Sequence, residues 1–477
     1  MIDGLKPYPE YKDSGQTWLG SVPRHWPVLP NRAIFAEVKD RDHPDEEMLS
    51  VTITRGIVPQ RALLADSSKK DSSRLDKSAY KLVKPRDIAY NKMRAWQGAI
   101  AVSDYRGIIS PAYIVMRLRE EQNARYFHYL YRTLHFAKEA ERWSYGITSD
   151  MWSLRPEHFK MIYSARPPRD EQDAIVRFLD HANGRIERGI RAKRKLIALL
   201  NEQKQAIIHR AVIRGLDPTV PLKPSGIPWL GDIPKHWEVL RLGRVINLIT
   251  GFPFPSEGFS TNENDVRLLR GINVTPSGVR WESAVRWPRK SNDGLEDFAL
   301  NVGDVVLGMD RPIIGSGVRV SMIQEQDTPS ILLQRVARLR PKERIEVRFL
   351  LHLLQGRVFA EYIAPTFTGI SVPHLSPEQI RGFKIMLPPV EEQRAIVEFI
   401  NSETATLDAA LARTEREIGL LREYRTRLIA DVVTGKLDAR DAARKLPAAD
   451  TQVEPESDAE DLAEETDLET VAMGEDA

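Results

Sequence analysis

Arg166-Pro167-Pro168-Arg169-Asp170-Glu171-Gln172-Asp173-Ala174-Ile175-Val176-Arg177-Phe178-Leu179 returns in the same register as Leu387-Pro388-Pro389-Val390-Glu391-Glu392-Gln393-Arg394-Ala395-Ile396-Val397-Glu398-Phe399-Ile400. Both copies read as the start of a helix. A proline pair stands where the missing N–H costs nothing, and acidic residues follow in the first turn, where the helix dipole favours them. Apolar residues then recur in three- and four-residue steps: Ile175, Leu179, Ala182, Ile186, Leu196, Leu200 and Ile207 in the first copy, Ile396, Ile400, Leu407, Ala410, Leu421 and Leu428 in the second. That spacing is a coiled-coil seam. Neither run meets a proline before Gly215 or Gly435, so each helix covers about 45 residues, roughly 65–70 Å at 1.5 Å per residue. A helix of that length with one apolar stripe needs a partner, and the chain supplies a near-copy. The expectation is an antiparallel pair of long coiled-coil helices serving as a spacer; the alternative is two unrelated amphipathic helices, each packed on its own domain.

The duplication extends beyond the helices. Ser14-Gly15-Gln16-Thr17-Trp18-Leu19-Gly20-Ser21-Val22-Pro23-Arg24-His25-Trp26 reappears as Ser225-Gly226-Ile227-Pro228-Trp229-Leu230-Gly231-Asp232-Ile233-Pro234-Lys235-His236-Trp237, with eight of thirteen positions identical. The repeat unit is about 210 to 220 residues, a duplicated domain plus helix rather than a solenoid repeat. Lys84-Pro85-Arg86-Asp87-Ile88-Ala89-Tyr90 lines up with Asn301-Val302-Gly303-Asp304-Val305-Val306-Leu307 as a turn feeding a strand, and other short β runs lie around both. Arg125-Tyr126-Phe127-His128-Tyr129-Leu130 and Arg348-Phe349-Leu350-Leu351-His352-Leu353 read as equivalent helices, and Gly146-Ile147-Thr148 matches Gly369-Ile370-Ser371. Each half is therefore an α+β globule that hands its chain to a long helix. The ends of the repeat are kept while the middles have diverged, which suits one frame carrying two different binding surfaces.

The chain has 477 residues and no cysteine, which removes disulfides, thiolate metal sites and a cysteine nucleophile. No apolar run is long enough to cross a bilayer and Met1 to Glu10 has no signal-peptide core, so a cytoplasmic protein without membrane contact is expected. The formal charge of +2 conceals an asymmetry: residues 447–477 hold twelve acidic and no basic residues, leaving 69 basic against 55 acidic residues, a net +14, for the rest. A body that basic suits a polyanion. The tail is expected to be disordered, and either screens the basic surface or serves only solubility.

Signatures of catalysis are missing. No GxxxxGK[ST] loop, no GxGxxG after a strand and no Asn-Pro-Pro-Tyr/Phe tetrapeptide occurs. His25 and His236 read as packing residues of a Trp-anchored turn. Glu37-Val38-Lys39 lacks the accompanying Pro-Asp of a nuclease metal site, and Asp170-Glu171 and Glu391-Glu392 are helix N-terminal residues. No catalytic residue and no metal ligand is expected. The residues suited to DNA are Arg94, Trp96, Gln97 and Arg106 in one half, and Arg267, Arg270, Asn273, Asp310 and Arg311 in the other, because Arg pairs bidentately with guanine and Asn or Gln with adenine. Tyr145, Thr148 and Ser149, with Thr368 and Ser371, form a second candidate loop in each half.

Two divergent globules, each followed by a Pro-Pro-x-x-Glu-Gln helix and each preceded by Ser-Gly-x-x-Trp-Leu-Gly, resemble the specificity subunit of a type I restriction-modification system over roughly residues 12 to 440. Leu49-Ser50-Val51-Thr52 and Arg270-Gly271-Ile272-Asn273 also look like segments of that family. The resemblance implies two pseudo-symmetric target-recognition domains, residues 1–165 and 219–386, separated by helices at 166–218 and 387–440, with an acidic tail at 441–477. It implies a bipartite, asymmetric double-stranded DNA site, and two methyltransferase (modification) subunits bound to the frame, Ile175, Leu179, Ile186, Leu200, Ile396, Ile400, Leu407 and Leu421 being the spacer and partner-binding positions. It further implies a motor-nuclease (restriction) subunit in the complete enzyme. S-adenosylmethionine, ATP and Mg then belong to those partners, and none to this chain. Two other readings stay open at this point: a self-sufficient nuclease with an unrecognised motif, and a coiled-coil scaffold that binds no DNA.

Overall fold

Alternating apolar residues in the middle of each half build a four-stranded antiparallel sheet. In the first half its strands are β1 (Phe35–Val38), β2 (Ile88–Asn91), β3 (Ile100–Val102) and β4 (Tyr113–Leu118), in the spatial order β1-β4-β2-β3. The computed structural model describes residues 5–64, 77–146, 152–227, 230–282, 284–290, 293–315, 317–367 and 373–447. Side chains along a strand alternate between faces. Phe35, Ile88, Tyr90, Ile100, Ile114 and Met116 therefore enter the main core, whereas Ala89, Ala101 and Val115 enter a second cluster with Leu49, Val51 and Ile57. After β4 comes α1 (Ala124–Tyr131), N-capped by Asn123, whose side chain accepts from Arg125 N at 3.0 Å.

The first long helix, α2, runs Arg169–Arg214. The second half repeats the plan with β5 (Ile246–Thr250), β6 (Val305–Gly308), β7 (Val320–Met322) and β8 (Val336–Pro341), in the order β5-β8-β6-β7. Then follow α3 (Val347–Gln355), capped by Glu346, and the second long helix, α4 (Val390–Val433). Two bidentate ion pairs brace equivalent positions. Arg117 holds the buried Asp87 at 2.7 and 2.7 Å, and Arg340 holds the buried Asp304 at 2.6 and 3.0 Å. Asp87 also accepts from Lys84 N at 3.0 Å and Asp304 from Asn301 N at 2.8 Å, so each carboxylate fixes the turn that launches β2 or β6.

The chain divides into two compact units, Met1–Lys193 with Arg416–Ala477, and Arg194–Glu415. The cores explain why each long helix is shared. In the first unit Trp26, Phe127, Ile175, Phe178 and Leu179 are buried together with Leu428, Val432 and Val433. In the second, Trp237, Phe349, Ile396 and Ile400 are buried with Ile208, Val212 and Ile213. Each globule thus rests on the start of its own helix and the end of the other one. Both helices stop at a glycine in the left-handed region, Gly215 at φ 70° and Gly435 at φ 78°. Gly435 also has no room for a side chain, since a Cβ there would lie 2.3 Å from Pro23 Cδ.

Three expectations change. Ile175, Leu179, Ile396 and Ile400 are fully buried, but in clusters that join the core of each globule to the end of the other helix rather than in a seam made by the two helices alone. Leu196 is 44% exposed. The seam passes instead through Ile186, Ile190, Lys193, Ile197, Leu200 and Lys204, one position away from Leu196, and includes two lysines because they pair across it. Glu187 pairs with Arg425, and Lys193 with Glu417, in the first unit; Lys204 meets Asp408 at 2.5 Å in the second. Leu407 and Leu421 are half-buried, as is Leu200. Finally, His25 and His236 do more than fill a Trp turn: their Nε2 atoms lie 2.8 Å from Glu171 Oε2 and 2.7 Å from Glu392 Oε2. Tyr8 donates to the other oxygen of Glu171. The repeated His and the repeated Glu are one contact, made twice.

Beyond Pro447 the acidic tail lies outside the described residues; the last tie before it is Arg177 Nη2, which donates to Leu446 O at 2.8 Å and Pro447 O at 2.9 Å. Trp229 also lies outside them.

Candidate nucleic-acid interface

In each unit the strand braced by the buried aspartate ends in a turn, and the chain returns to that turn just before the long helix. In the first unit Leu154 N donates to Lys92 O at 2.8 Å, and in the second Leu375 N donates to Met309 O at 2.9 Å. Lys92 follows β2 and Met309 follows β6. The same backbone bond therefore holds the same two loops together in both units, with different side chains on them.

The first unit's turn is shaped by Asn91, whose Oδ1 accepts from Met93 N at 3.0 Å, and by the short 3-10 helix Ala95–Gln97, closed by Gly98 at φ 97°. Trp96 donates through Nε1 to Met93 O at 2.9 Å and meets Trp152 edge-on at 5.7 Å, which ties the two loops a second time. Arg94 stays half-exposed, Gln97 is exposed, and Tyr145 is 58% exposed, its ring 5.1 Å from that of His158. Between the loops lies an open cavity of about 610 Å³ lined by Lys92, Met93, Tyr145, Ser153, Arg155 and Glu157. Arg94, Trp96, Gln97 and Tyr145 are thus brought together. Arg106 is not: it follows the far end of β3, where its Nε donates to Glu46 Oε1 at 2.8 Å. Thr148 and Ser149 lie outside the described residues, as do Thr368 and Ser371.

The second unit uses the anticipated residues differently. Asn273 is buried; its Oδ1 accepts from Arg270 N at 3.0 Å and its Nδ2 donates to Arg280 O at 2.8 Å, so its amide holds a turn and burial withdraws it from the surface. Arg267 donates to the carbonyls of Gln326 at 2.8 Å and Thr328 at 3.2 Å with its guanidinium 4.5 Å over the Trp281 ring, a bracing role. Burial pulls the Arg270 guanidinium below its ordinary range. Arg311 is exposed at the turn, with its backbone N–H on Pro373 O at 2.8 Å.

Beside Arg311 the sequence reading missed two residues. Asp310 receives Arg335 Nη1 on Oδ2 at 2.8 Å and His374 Nδ1 on Oδ1 at 2.6 Å. Partial burial raises its carboxyl, but the hydrogen bonds from Arg335 and His374 outweigh that and hold it below the usual carboxylate range. Arg319 clamps the neighbourhood by donating through Nε to Arg311 O at 3.2 Å and through Nη1 to Gly271 O at 3.1 Å. No spacing rule in the sequence links Arg335 to Asp310; the link is made by β8 starting next to the end of β6, where Met309 N donates to Arg335 O at 2.9 Å.

Among the described residues no three His, Asp or Glu side chains gather as a metal site, and no helix is long and apolar enough to cross a membrane.

Residues 234–417 match the family described as type I restriction modification DNA specificity domain. That domain and the specificity subunits similar to this chain all indicate a type I restriction-modification specificity subunit. The specificity subunit of the type I restriction enzyme MjaVIII of Methanocaldococcus jannaschii is 29% identical over 58% of this chain and 63% of that protein. The EcoAI specificity subunit of Escherichia coli is 27% identical over 52% of this chain and 42% of its own length. The matched parts thus span less than two thirds of these specificity subunits. A solved chain described under the structural basis of complex assembly and conformational transition of the type I R-M system is similar over 86% of this chain and 98% of its own, with a TM-score of 0.52 and 17% identity, which shows the fold. The α+β fold with two long helices is therefore similar to that of this solved chain.

Proposed function

We propose that this chain is a non-catalytic, sequence-specific DNA-recognition subunit. Each globule, residues 1–165 and 219–386, reads one half of a bipartite, asymmetric duplex site through the loop pair at the end of β2 or β6. The long helices at 166–218 and 387–440 form the frame for two modification subunits, which methylate adenine within the selected site, and a restriction subunit joins the complete cytoplasmic enzyme. S-adenosylmethionine, ATP and Mg belong to those partners. The observation that carries this reading is the loop pair itself: the bond from Leu154 to Lys92 recurs from Leu375 to Met309 while the side chains around it change from Arg94, Trp96 and Tyr145 to Arg311, Arg335 and His374. One frame presenting two different sets of donors and aromatics is what two different half-sites require. The net +14 of residues 1–446 supplies the sequence-independent attraction to phosphates.

Duplex DNA of random sequence, with and without the methyltransferase subunits, tests the reading by gel shift and selection of bound sequences. Recovery of one two-part motif is the expected result. Binding that ignores sequence, or plasmid cleavage by the purified chain with magnesium alone, would overturn it, the latter in favour of a self-sufficient nuclease. No binding under either condition would leave a scaffold.

A further inference from the structure

We propose that Arg335 reads a guanine in the half-site of the second unit, held for that base by Asp310 and His374; the inference rests on the DNA-recognition reading above. Four non-glycine residues among those described have a left-handed backbone: Asp42, Arg86, Arg311 and Arg335. Two of the four, Arg311 at φ 44° and Arg335 at φ 64°, flank the single carboxylate Asp310. That conformation is unfavourable for a residue with a Cβ and persists where neighbours dictate it, which happens disproportionately at ligand sites. The neighbours here are backbone bonds: Met309 N to Arg335 O at 2.9 Å and Arg311 N to Pro373 O at 2.8 Å. The Arg335 side chain gives little packing in return, being 64% exposed.

The chemistry of the cluster selects its ligand. Asp310 engages Arg335 through one terminal nitrogen, Nη1, and so tethers the guanidinium without using its Nε and Nη2 donors. Two parallel N–H donors at that spacing match the O6 and N7 acceptors of guanine in the major groove. A phosphate would also accept two hydrogen bonds, but the paired Asp310 carboxylate cancels the Arg335 charge that would otherwise draw it there. A neutral base edge needs no such charge. Held by Asp310, Arg335 loses less side-chain freedom on binding than an untethered arginine. His374 closes the other carboxylate oxygen, which prevents Asp310 from turning away.

The test uses the full chain with the methyltransferase subunits, random-sequence duplex DNA and selection of bound sequences. The variants are Arg335→Gly, which the left-handed backbone accommodates, Arg335→Lys, which keeps the charge without the fork, and Asp310→Asn. Arg335→Gly should lower the preference for guanine at one position of one half-site on the order of ten- to a hundredfold, with Arg335→Lys and Asp310→Asn intermediate and the other half-site untouched. Wild-type protein that selects no motif would overturn the DNA reading and this inference together. A wild-type motif unchanged in both Arg335 variants would overturn this inference alone. So would a uniform loss of affinity on all sequences with a shallower salt dependence, the mark of a phosphate contact, or a changed preference for a base other than guanine.

Discussion

Gln172 is fully buried and its Nε2 donates to the carbonyl oxygen of Pro167 at 2.8 Å, while its Oε1 accepts from Asn123 N at 2.8 Å. Gln393 repeats both bonds, to Pro388 O at 2.8 Å and from Glu346 N at 2.8 Å. The glutamine of the repeated proline motif therefore joins the start of each long helix to the residue that caps, or lies at the N-cap of, the shorter helix α1 or α3. Replacing either by Leu leaves buried backbone groups without partners, and each substitution should cost about 2 kcal/mol, read as a lower denaturation midpoint with an unchanged slope.

The bidentate pairs at Asp87 and Asp304 set a second contrast. Removing Arg340 leaves the buried Asp304 without its counter-charge, so Arg340→Ala should lose roughly 3 kcal/mol. Arg344→Ala removes an exposed pair with Glu238 of similar length, 2.7 Å, and should lose less than about 0.5 kcal/mol. Thermal melts of the two variants side by side decide whether the pair braces the strand that carries the reading turn.

Stability should fall on mild acidification because of one histidine in each short helix. Burial, then the nearby Arg132 and Arg125 charges, pushes His128 down to about 3, and its Nδ1 accepts from Val102 N at 3.3 Å, so the ring is neutral. Burial, then Lys204 and Arg348, pushes His352 down to about 4. Both lie below the unfolded value of about 6.5, so the unfolded chain takes up protons first as the pH drops. The contribution is complete above pH ~6.5, falls progressively below it and is fully lost once the pH has passed 4 for His352 and 3 for His128; at pH 5 each histidine should already have cost roughly 1–2 kcal/mol. Urea melts at pH 5 and pH 7.5 measure it, and His128→Gln should flatten the difference. An identical midpoint at both values would contradict it.

The end of the second long helix returns to the beginning of the chain: Asp438 N donates to Lys6 O at 2.7 Å and Tyr11 OH to Lys436 O at 3.1 Å. Joining residue 447 to residue 5 by a linker, without the segments beyond them, and opening the chain between Asp217 and Leu222 should give a permuted protein that folds with an unchanged melting cooperativity. Aggregated or non-cooperative protein across several linker lengths would show that chain order matters to this unit.

The frame was legible because its residues repeat. A proline pair, a Glu-Gln and a Trp turn recur at fixed spacing, and Gln172 with Gln393, or His25 with His236, make the same contact twice. The helix seam was legible only in part. Heptad counting takes the apolar Leu196 and passes over Lys193 and Lys204, whose ion pairs place them on the buried stripe. The candidate interface was the least legible. Asn273 and Arg267 have the side chains of base readers and serve as braces, because burial and hydrogen-bond partners, invisible in composition, decide which donors remain available. Arg335 and His374 carried no pattern of their own; sheet order, not sequence distance, brings them to Asp310.

Mapping methylated adenines across the genome of cells with the chain, without it, and with residues 30–155 replaced by the corresponding region of a related specificity subunit tests the central claim most directly. The account predicts one two-part motif that loses its methylation when the chain is removed, and a hybrid motif in which only the half read by the first unit has changed. Methylation that is indifferent to the chain, or a hybrid in which both halves of the motif differ, would contradict it.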